Sequence, residues 1–433
     1  MRGLKELFSL LLILSAICYP AYTLFGETPG EAIDLALKNS CTLASARSMI
    51  SAAEYELLSA RRSYLPLVGA GSSYSYNSAE SEISLPAPTS TTITLVQPHN
   101  IDLHGDFQWV LFSGFSRSAS LRIREINVDL ERTRWKSAEI QTALDTLVLY
   151  RRVQSARLQV ETLSSGRDRI ALQIDRLERL YEQGMATVSD LLALRLNLLD
   201  YEQNIVGAEA ELDRALLGLR EKTGRDIQVV SSPKQLTLDE IPSLDLPALP
   251  QLQALSFQED AAQAQYALER SATYPKVILN SQLHYGVPGA SAVEKEWMLY
   301  ATAGISVSWS TDWGAAQARG SAAEARKDAL VSTRSELTSQ TSLRYRQDLR
   351  ELESMIQKLE VLQQALALTA EIADIAEQQY KQGMATVTDF TDATLALTQA
   401  ELGYRTQILL ILLKRNQLEA ISGLLPENWS VSR

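Results

Sequence analysis

The sequence predicts a mainly α-helical chain with a transmembrane β-barrel part. It is built as a duplicated half-molecule in which long coiled-coil helices alternate with four strands that enter a barrel shared between chains. Three observations lead there. The decapeptide Tyr181-Glu-Gln-Gly-Met-Ala-Thr-Val-Ser-Asp190 returns as Tyr380-Lys-Gln-Gly-Met-Ala-Thr-Val-Thr-Asp389, changed only at its second and ninth positions. No proline occurs from Gly114 to Gly184 or from Gly314 to Gly383. After Pro66 and after Pro275 the hydrophobic period changes from that of a helix to two.

In 433 residues there are only 13 Pro and 20 Gly, few for a chain of several linked domains. A net charge of −11 argues against nucleic acid as a partner, since that surface has to be basic. Residues 1–26 read as a signal peptide. Arg2 and Lys5 form its positive start, and Leu7 to Ile17 is an apolar run too short to span a bilayer. Cys18, Ala21 and Gly26 are alternative ends. A lipid-modified Cys18 would normally follow a small residue, whereas Ile17 precedes it. Without Cys18, Cys41 is alone, which leaves no disulfide framework and no cysteine metal site.

Residues 27–224 form the first repeat: helix, β-hairpin, long helix, tip turn and returning helix. Helical patterning over 27–63 closes at Pro66. The second repeat, 251–423, opens with Leu252–Ser271 and closes at Pro275. Between them, 225–250 carries Pro233, Pro242, Pro247 and Pro250 and reads as a linker; 424–433 is a tail.

The period-two segments are Leu65–Tyr76, Ile101–Trp109, Lys276–Tyr285 and Trp297–Trp309. Each is apolar on one side and polar on the other, with aromatics near its ends, as in a transmembrane β-barrel strand. The expected lipid-facing set is Leu103, Phe107, Trp109, Leu279, Leu283, Ile305 and Val307. An ordinary soluble sheet with one wet face is the alternative. Four strands cannot close a barrel, and an open edge is not tolerated in hydrocarbon, so membrane insertion would require several chains.

Each proline-free run is expected to be one helix of about 65 residues, roughly 100 Å long. Steps of three and four place Val153, Ala156, Val160, Leu163, Arg167, Ile170, Ile174, Leu177 and Tyr181 on one seam. They place Leu352, Met355, Leu359, Leu362, Leu366, Thr369, Ala373, Ala376 and Tyr380 on the other. The decapeptides then turn the chain. Gly184 and Gly383 suit a C′ position, and Thr187 with Asp190 and Thr386 with Asp389 have capping-box spacing. The returning helices run to Gly224 and Gly423. Capping does not account for the recurrence of Met185/Met384, Ala186/Ala385 and Val188/Val387. Apolar residues on a tip point to a docking surface, or else to packing within the tip.

These two turns, the Gly114 and Gly314 elbows and the Ala-rich helices before Pro66 and Pro275 resemble the TolC-like outer-membrane efflux protein family. The resemblance covers essentially the whole chain after the signal. It implies a homotrimer with a twelve-stranded barrel in outer-membrane lipid and a helical tunnel, an α-barrel, in the periplasm. It also implies a periplasmic adaptor (membrane fusion protein) at the tips, made up of Gly184, Met185, Ala186, Thr187, Val188, Gly383, Met384, Ala385, Thr386 and Val387. An inner-membrane pump would be reached through that adaptor. By position, Asp389 and Asp392 match the family's periplasmic gate, and Tyr380 with Asp190 its inter-coil link. A family example carries an Arg in the second turn where this chain has Ala385, so a marginal closed state is expected.

Other readings of these residues are open. Asp389 also has a capping explanation, Asp392 can be a solvated helix face, and Tyr380 can simply finish the seam. His104 and His284 lie on polar strand faces, where a metal contact is conceivable but pore wall is the simpler reading. No nucleophile, phosphate-loop or metal motif appears, so neither catalysis nor a cofactor is expected. The function implied is a passive exit duct for efflux or secretion. The alternative is a secreted coiled-coil scaffold protein without membrane insertion.

Overall fold

A computed structural model describes residues 27–78, 82–85, 91–94, 97–230, 233, 236, 241, 243–290 and 296–425, the segments 82–85 and 91–94 by backbone only. The signal peptide with Cys18, part of the linker and most of the C-terminal tail lie outside the described residues. The elements in order are helices α1 (Pro29–Asn39) and α2 (Cys41–Arg62) and strands β1 (Leu67–Tyr76), β2 (Glu82–Leu85), β3 (Thr91–Thr94) and β4 (His99–Phe112). Helices α3 (Ser116–Glu182), α4 (Val188–Thr223) and α5 (Pro250–Arg270) come next. Strands β5 (Lys276–Val287) and β6 (Met298–Ser308) and helices α6 (Ala315–Lys381) and α7 (Val387–Ile421) complete the chain. The chain is mainly helical with a small antiparallel sheet, the coarser part of the fold class expected.

Contacts divide the chain into two compact units. One holds Met1–Cys41, Glu139–Asp245 and Ser342–Arg433; the other holds Thr42–Ala138 and Leu246–Thr341. Each unit draws on both repeats. The helical stretch read as continuous over 27–63 breaks at Ser40, whose backbone is extended. Beside it, the Asn39 side-chain amide donates to the Thr223 carbonyl, so α1 ends against the end of α4.

In the second unit the four strands run antiparallel in the order β1-β4-β5-β6. Val110 pairs with Ile278 and Phe112 with Val277, so Leu111 is the extra residue of a bulge. The pair β2–β3, within the segment joining β1 to β4, was not anticipated; its residues are too few to show a period. At the other end of β4 and β6 the chain turns into a long helix through two consecutive left-handed residues. These are Gly114 (φ 64°) and Phe115 (φ 71°), and Trp313 (φ 54°) and Gly314 (φ 93°). Ion pairs Arg124–Glu56 and Arg132–Glu54 join α3 to α2, and Arg334–Glu259 joins α6 to α5. The first two pairs are solvent-exposed and worth only about 0–1 kcal/mol each.

In the first unit part of each heptad seam is buried. Val153, Ala156, Ile170, Ile174 and Leu177 of α3 and Leu352, Leu359 and Ala376 of α6 lie in the core. Tyr150 anchors the chain entering α1 and the chain leaving α4: its hydroxyl donates to the Glu27 carbonyl at 2.7 Å and accepts from the Val230 N–H at 3.0 Å. Burial pushes the Tyr150 hydroxyl pKa up, so it stays protonated and able to donate.

A Cβ on Gly114 would lie 2.7 Å from the Ser271 carbonyl oxygen and 2.9 Å from Tyr274 Cβ, whereas nothing lies within 4 Å of one on Gly314. Gly314→Ala is expected to cost about 1–2 kcal/mol for the left-handed backbone alone. Gly114→Ala should cost about 1–3 kcal/mol more through overpacking. Thermal midpoints of the detergent-solubilised variants check the order.

Candidate functional site: the helical tips

Both decapeptides fold into the same helix stop. The Gly184 N–H bonds to the Tyr181 carbonyl at 2.9 Å and the Met185 N–H to Leu180 at 2.8 Å. In the second copy Gly383 bonds to Tyr380 at 3.0 Å and Met384 to Gln379 at 2.9 Å. This paired pattern needs a left-handed C′ residue, and Gly184 and Gly383 supply it at φ 74° and 71°. Thr187 and Thr386 then start the returning helices as N-caps, each accepting the N–H of the Asp three residues on at 3.2 Å.

The two caps are not equivalent. At the second turn the box is complete: the Thr386 N–H donates to Asp389 Oδ2 at 2.9 Å and the Thr386 hydroxyl to the same oxygen at 2.6 Å. Hydroxyl first and N–H second, these bonds hold the exposed Asp389 carboxyl below the ordinary aspartate range. At the first turn the Thr187 hydroxyl donates to Asp190 Oδ2 at 2.7 Å, but the cap is not a complete box. Asp190 instead shares a cavity of about 350 Å³ with Tyr380. Both turns line this cavity, together with Gln173, Arg176, Leu177 and Leu180 of α3 and Lys381 of α6.

The Tyr380 ring stacks on Phe390 with centroids 5.3 Å apart. Both pack with Ile170, Ile174, Leu177, Leu191, Leu194, Tyr201 and Val387 in one apolar cluster. The Tyr380 hydroxyl is buried and makes no hydrogen bond among the described residues. Burial, and then the Asp190 charge, pushes its pKa up. The structure thus brings Tyr380 and Asp190 to one cavity without a bond between them. Asp392 is exposed one turn beyond Asp389 on α7.

Of the tip residues, Met185, Val188 and Met384 are exposed, but Val387 is only 5% exposed against 50% for Val188. Val387 is therefore core rather than docking surface, because it faces Phe390 and Leu177 in the cluster. Sequence reasoning looked for positive charge only at position 385 and missed a group on the helix ends. The Glu377 carboxylate lies 2.6 Å from Lys381 Nζ and 3.7 Å from Arg176 Nη1, and it accepts from Gln173 Nε2 at 3.2 Å. The signal was available: the second decapeptide position is Glu182 in one copy and Lys381 in the other.

On the sheet, Leu103, Phe107, Trp109, Leu279, Leu283, Ile305 and Val307 fall on one face. Trp109 pairs with Leu279 and Leu279 with Ile305; Gly105 pairs with Leu283; Val277 pairs with Val307. The opposite face carries Asp102, His104, Asp106, Gln282 and His284. There Asp102 lies 2.9 Å from His104 Nδ1 and 3.0 Å from His284 Nδ1. Among the described residues no cluster of three or more His, Cys, Asp or Glu is placed to hold a metal ion.

The sequence profile of the outer membrane efflux protein family matches residues 32–225 and again 242–424. The chain belongs to this family. Outer membrane efflux proteins are TolC-like channels of the cell outer membrane, and this membership does not favour a secreted coiled-coil scaffold. The fold is similar to that of the outer-membrane channel CmeC of Campylobacter jejuni, with 16% identity over 93% of this chain and 87% of that one and a TM-score of 0.76. It is similar to the outer membrane protein VceC of Vibrio cholerae, with 16% identity, 92% and 96% coverage and a TM-score of 0.74. It is also similar to the open state of the MtrE outer membrane channel of Neisseria gonorrhoeae, with 15% identity, 92% and 90% coverage and a TM-score of 0.71. No curated protein matches the chain by sequence.

Thr386→Ala is expected to cost about 1 kcal/mol at the α7 terminus and to return Asp389 toward its usual pKa of about 3.9. Because the folded Asp389 pKa is lowered, its stabilisation is present above that usual value. It is lost as pH falls through the lowered one. Amide hydrogen exchange over residues 387–391 at descending pH measures both effects.

Proposed function

We propose that three copies form a passive exit duct for efflux or secretion that docks through its helical tips on a periplasmic adaptor and, through it, on an inner-membrane pump. The observation that carries this reading is the four-stranded sheet. It is apolar along one face, and β1 and β6 stand as its edges. In lipid those edges must pair, and β6 of one copy can pair only with β1 of another. Two copies would give eight strands, a barrel whose interior side chains fill; three give twelve and leave a passage. The helices support the same assembly. Leu192, Leu196, Leu199, Val206 and Leu217 of α4 are exposed at heptad spacing, and so are Val361, Leu368, Ile372 and Ile375 of α6. Seams of this kind require partners from neighbouring copies. In this reading the chain is a duplicated half-molecule, the helices continue the barrel as a periplasmic tunnel, and the protein is not an enzyme and uses no cofactor.

The sheet's apolar face, with Leu103, Phe107, Trp109, Leu279, Leu283, Ile305 and Val307, meets lipid. Met185, Val188 and Met384 with the two turns offer the adaptor its apolar contact. Three copies of Asp389 and Asp392 ring the mouth as an acidic constriction, and Tyr380 closes on Asp190 when the tips draw in. Positive charge for closure comes from Arg176 and Lys381 at the cavity instead of from the turn.

Leu283→Arg is expected to cost about 2–4 kcal/mol of insertion, and Gln282→Arg, one residue along on the other face, very little. Mass measurement in detergent should return three chains for wild type and Gln282→Arg and a much reduced trimer yield for Leu283→Arg. A stable monomer that conducts, or equal tolerance on both faces, would refute the assembly.

Asp392→Asn leaves both caps intact, so it isolates the ring. Interactions of about 1–2 kcal/mol per carboxylate imply roughly tenfold weaker block by multivalent cations. Single-channel recording in planar bilayers tests this; unchanged block and cation selectivity would place the constriction elsewhere.

A further inference from the structure

The polar face of the sheet carries one connected group of side chains that reaches from β4 to β6. Asp102 bonds two imidazoles at once: His104 Nδ1 at 2.9 Å on its own strand and His284 Nδ1 at 3.0 Å on β5. A carboxylate only accepts, so each Nδ1 carries a proton, and in the neutral ring each Nε2 holds a lone pair. His104 Nε2 lies 3.7 Å from Asp106 Oδ2, and Asp106 also accepts from Gln282 Nε2 at 2.8 Å. The His284 ring stacks on Tyr300 of β6 with centroids 4.9 Å apart.

The flanking backbone is built around this group. A Cβ on Gly71 of β1 would lie 2.5 Å from His104 Nε2 and 2.9 Å from its Cε1, and one on Gly286 of β5 would lie 3.3 Å from Asp102 Oδ1. Glycine weakens a strand interior, and here both glycines stand where the group needs the space. The side chains are covered without being sealed: His284 is 17% exposed, His104 27% and Asp102 31%. Among the described residues of these four strands, the other titratable groups on this face are Tyr300 and, at the elbow end, Lys276; β1 supplies none. The third histidine, His99, lies on the opposite face beside Tyr74 and Tyr76.

Histidine is the side chain that changes charge between about pH 5 and 8, whereas carboxylates lose theirs at about pH 4. A proton on His104 Nε2 turns a lone pair facing the Asp106 carboxylate into an ion pair. Above the histidine window the group carries the negative charges of Asp102 and Asp106; below it two imidazoliums cancel them. Rings of charged side chains decide which ions pass a pore. We propose that Asp102, His104, Asp106 and His284 form a proton-controlled selectivity ring in the barrel lumen, distinct from the acidic ring at the tips. The ring favours cations while its histidines are neutral and loses that preference once they are protonated. This rests on the trimeric barrel proposed above.

The test uses the full chain in planar bilayers, with the reversal potential read under a potassium chloride gradient at about pH 7.5 and about pH 5.5, on either side of the histidine range. In wild type the permeability ratio of potassium over chloride should fall several-fold at the lower pH. The double variant His104→Gln/His284→Gln should hold its ratio across the same range, while His99→Gln should respond as wild type does. Each single substitution, His104→Gln or His284→Gln, should remove about half of the response, and these carry the test if the double variant does not assemble. A trimeric wild-type channel whose ratio is the same at both pH values would overturn the ring and leave the barrel standing. A full response in the histidine variants, or its loss in His99→Gln, would overturn the ring as well. If no trimeric channel formed, barrel and ring would fall together.

Discussion

Unpaired backbone at the two edges of the sheet is the constraint on which the rest depends. A buried N–H or C=O without a partner costs several kcal/mol in hydrocarbon, and strands β1 and β6 each present a row of them. Side-chain chemistry cannot offset a cost repeated along a whole strand; in the proposed assembly other copies meet these edges. The exposed heptad seams of α4 and α6 raise the same demand in the helices. Strand edge and helix seam thus point to one assembly from independent physics, hydrogen bonding in one case and apolar burial in the other.

The repeated decapeptide shows how one motif is put to two uses. Glycine, threonine and aspartate make the same turn twice, since left-handed backbone and capping are local matters. The neighbours then differ. Asp389 is held by its own cap, while Asp190 lies in a cavity opposite a buried phenol. Tyr380 stacks on Phe390, whereas its counterpart Tyr181 is exposed. Val387 is core and Val188 is surface. In the proposed duct this asymmetry means that only one turn has to be rigid on its own when the tips close.

Charge at the tips follows the same pattern. Glu377 gathers Lys381, Arg176 and Gln173 at partly exposed positions, where each contact is worth about 1 kcal/mol or less. Such a group can hold two coiled coils together and still release them. A buried network would be too costly to separate, since breaking one leaves an uncompensated charge of about 3–5 kcal/mol.

Much of this was legible in the amino-acid sequence, for a definite reason. Periods of two and of 3.5, proline as a stop, and glycine with threonine and aspartate at a turn are local rules. They placed the four main strands, the two long helices and both tip turns close to where they lie. The apolar face of the sheet was legible too, because alternation along a strand assigns each side chain to a face. Only tertiary structure decided the break at Ser40, the union of both turns around one cavity, the burial of Val387 and the gathering of charge on Glu377. Each of these depends on residues far apart in sequence, 184 positions for Asn39 and Thr223 and 204 for Gln173 and Glu377, and no local rule connects them. The left-handed aromatics at the elbows belong with these. A sequence displays Phe115 and Trp313 beside their glycines, but it takes a backbone to show that they carry the strain themselves.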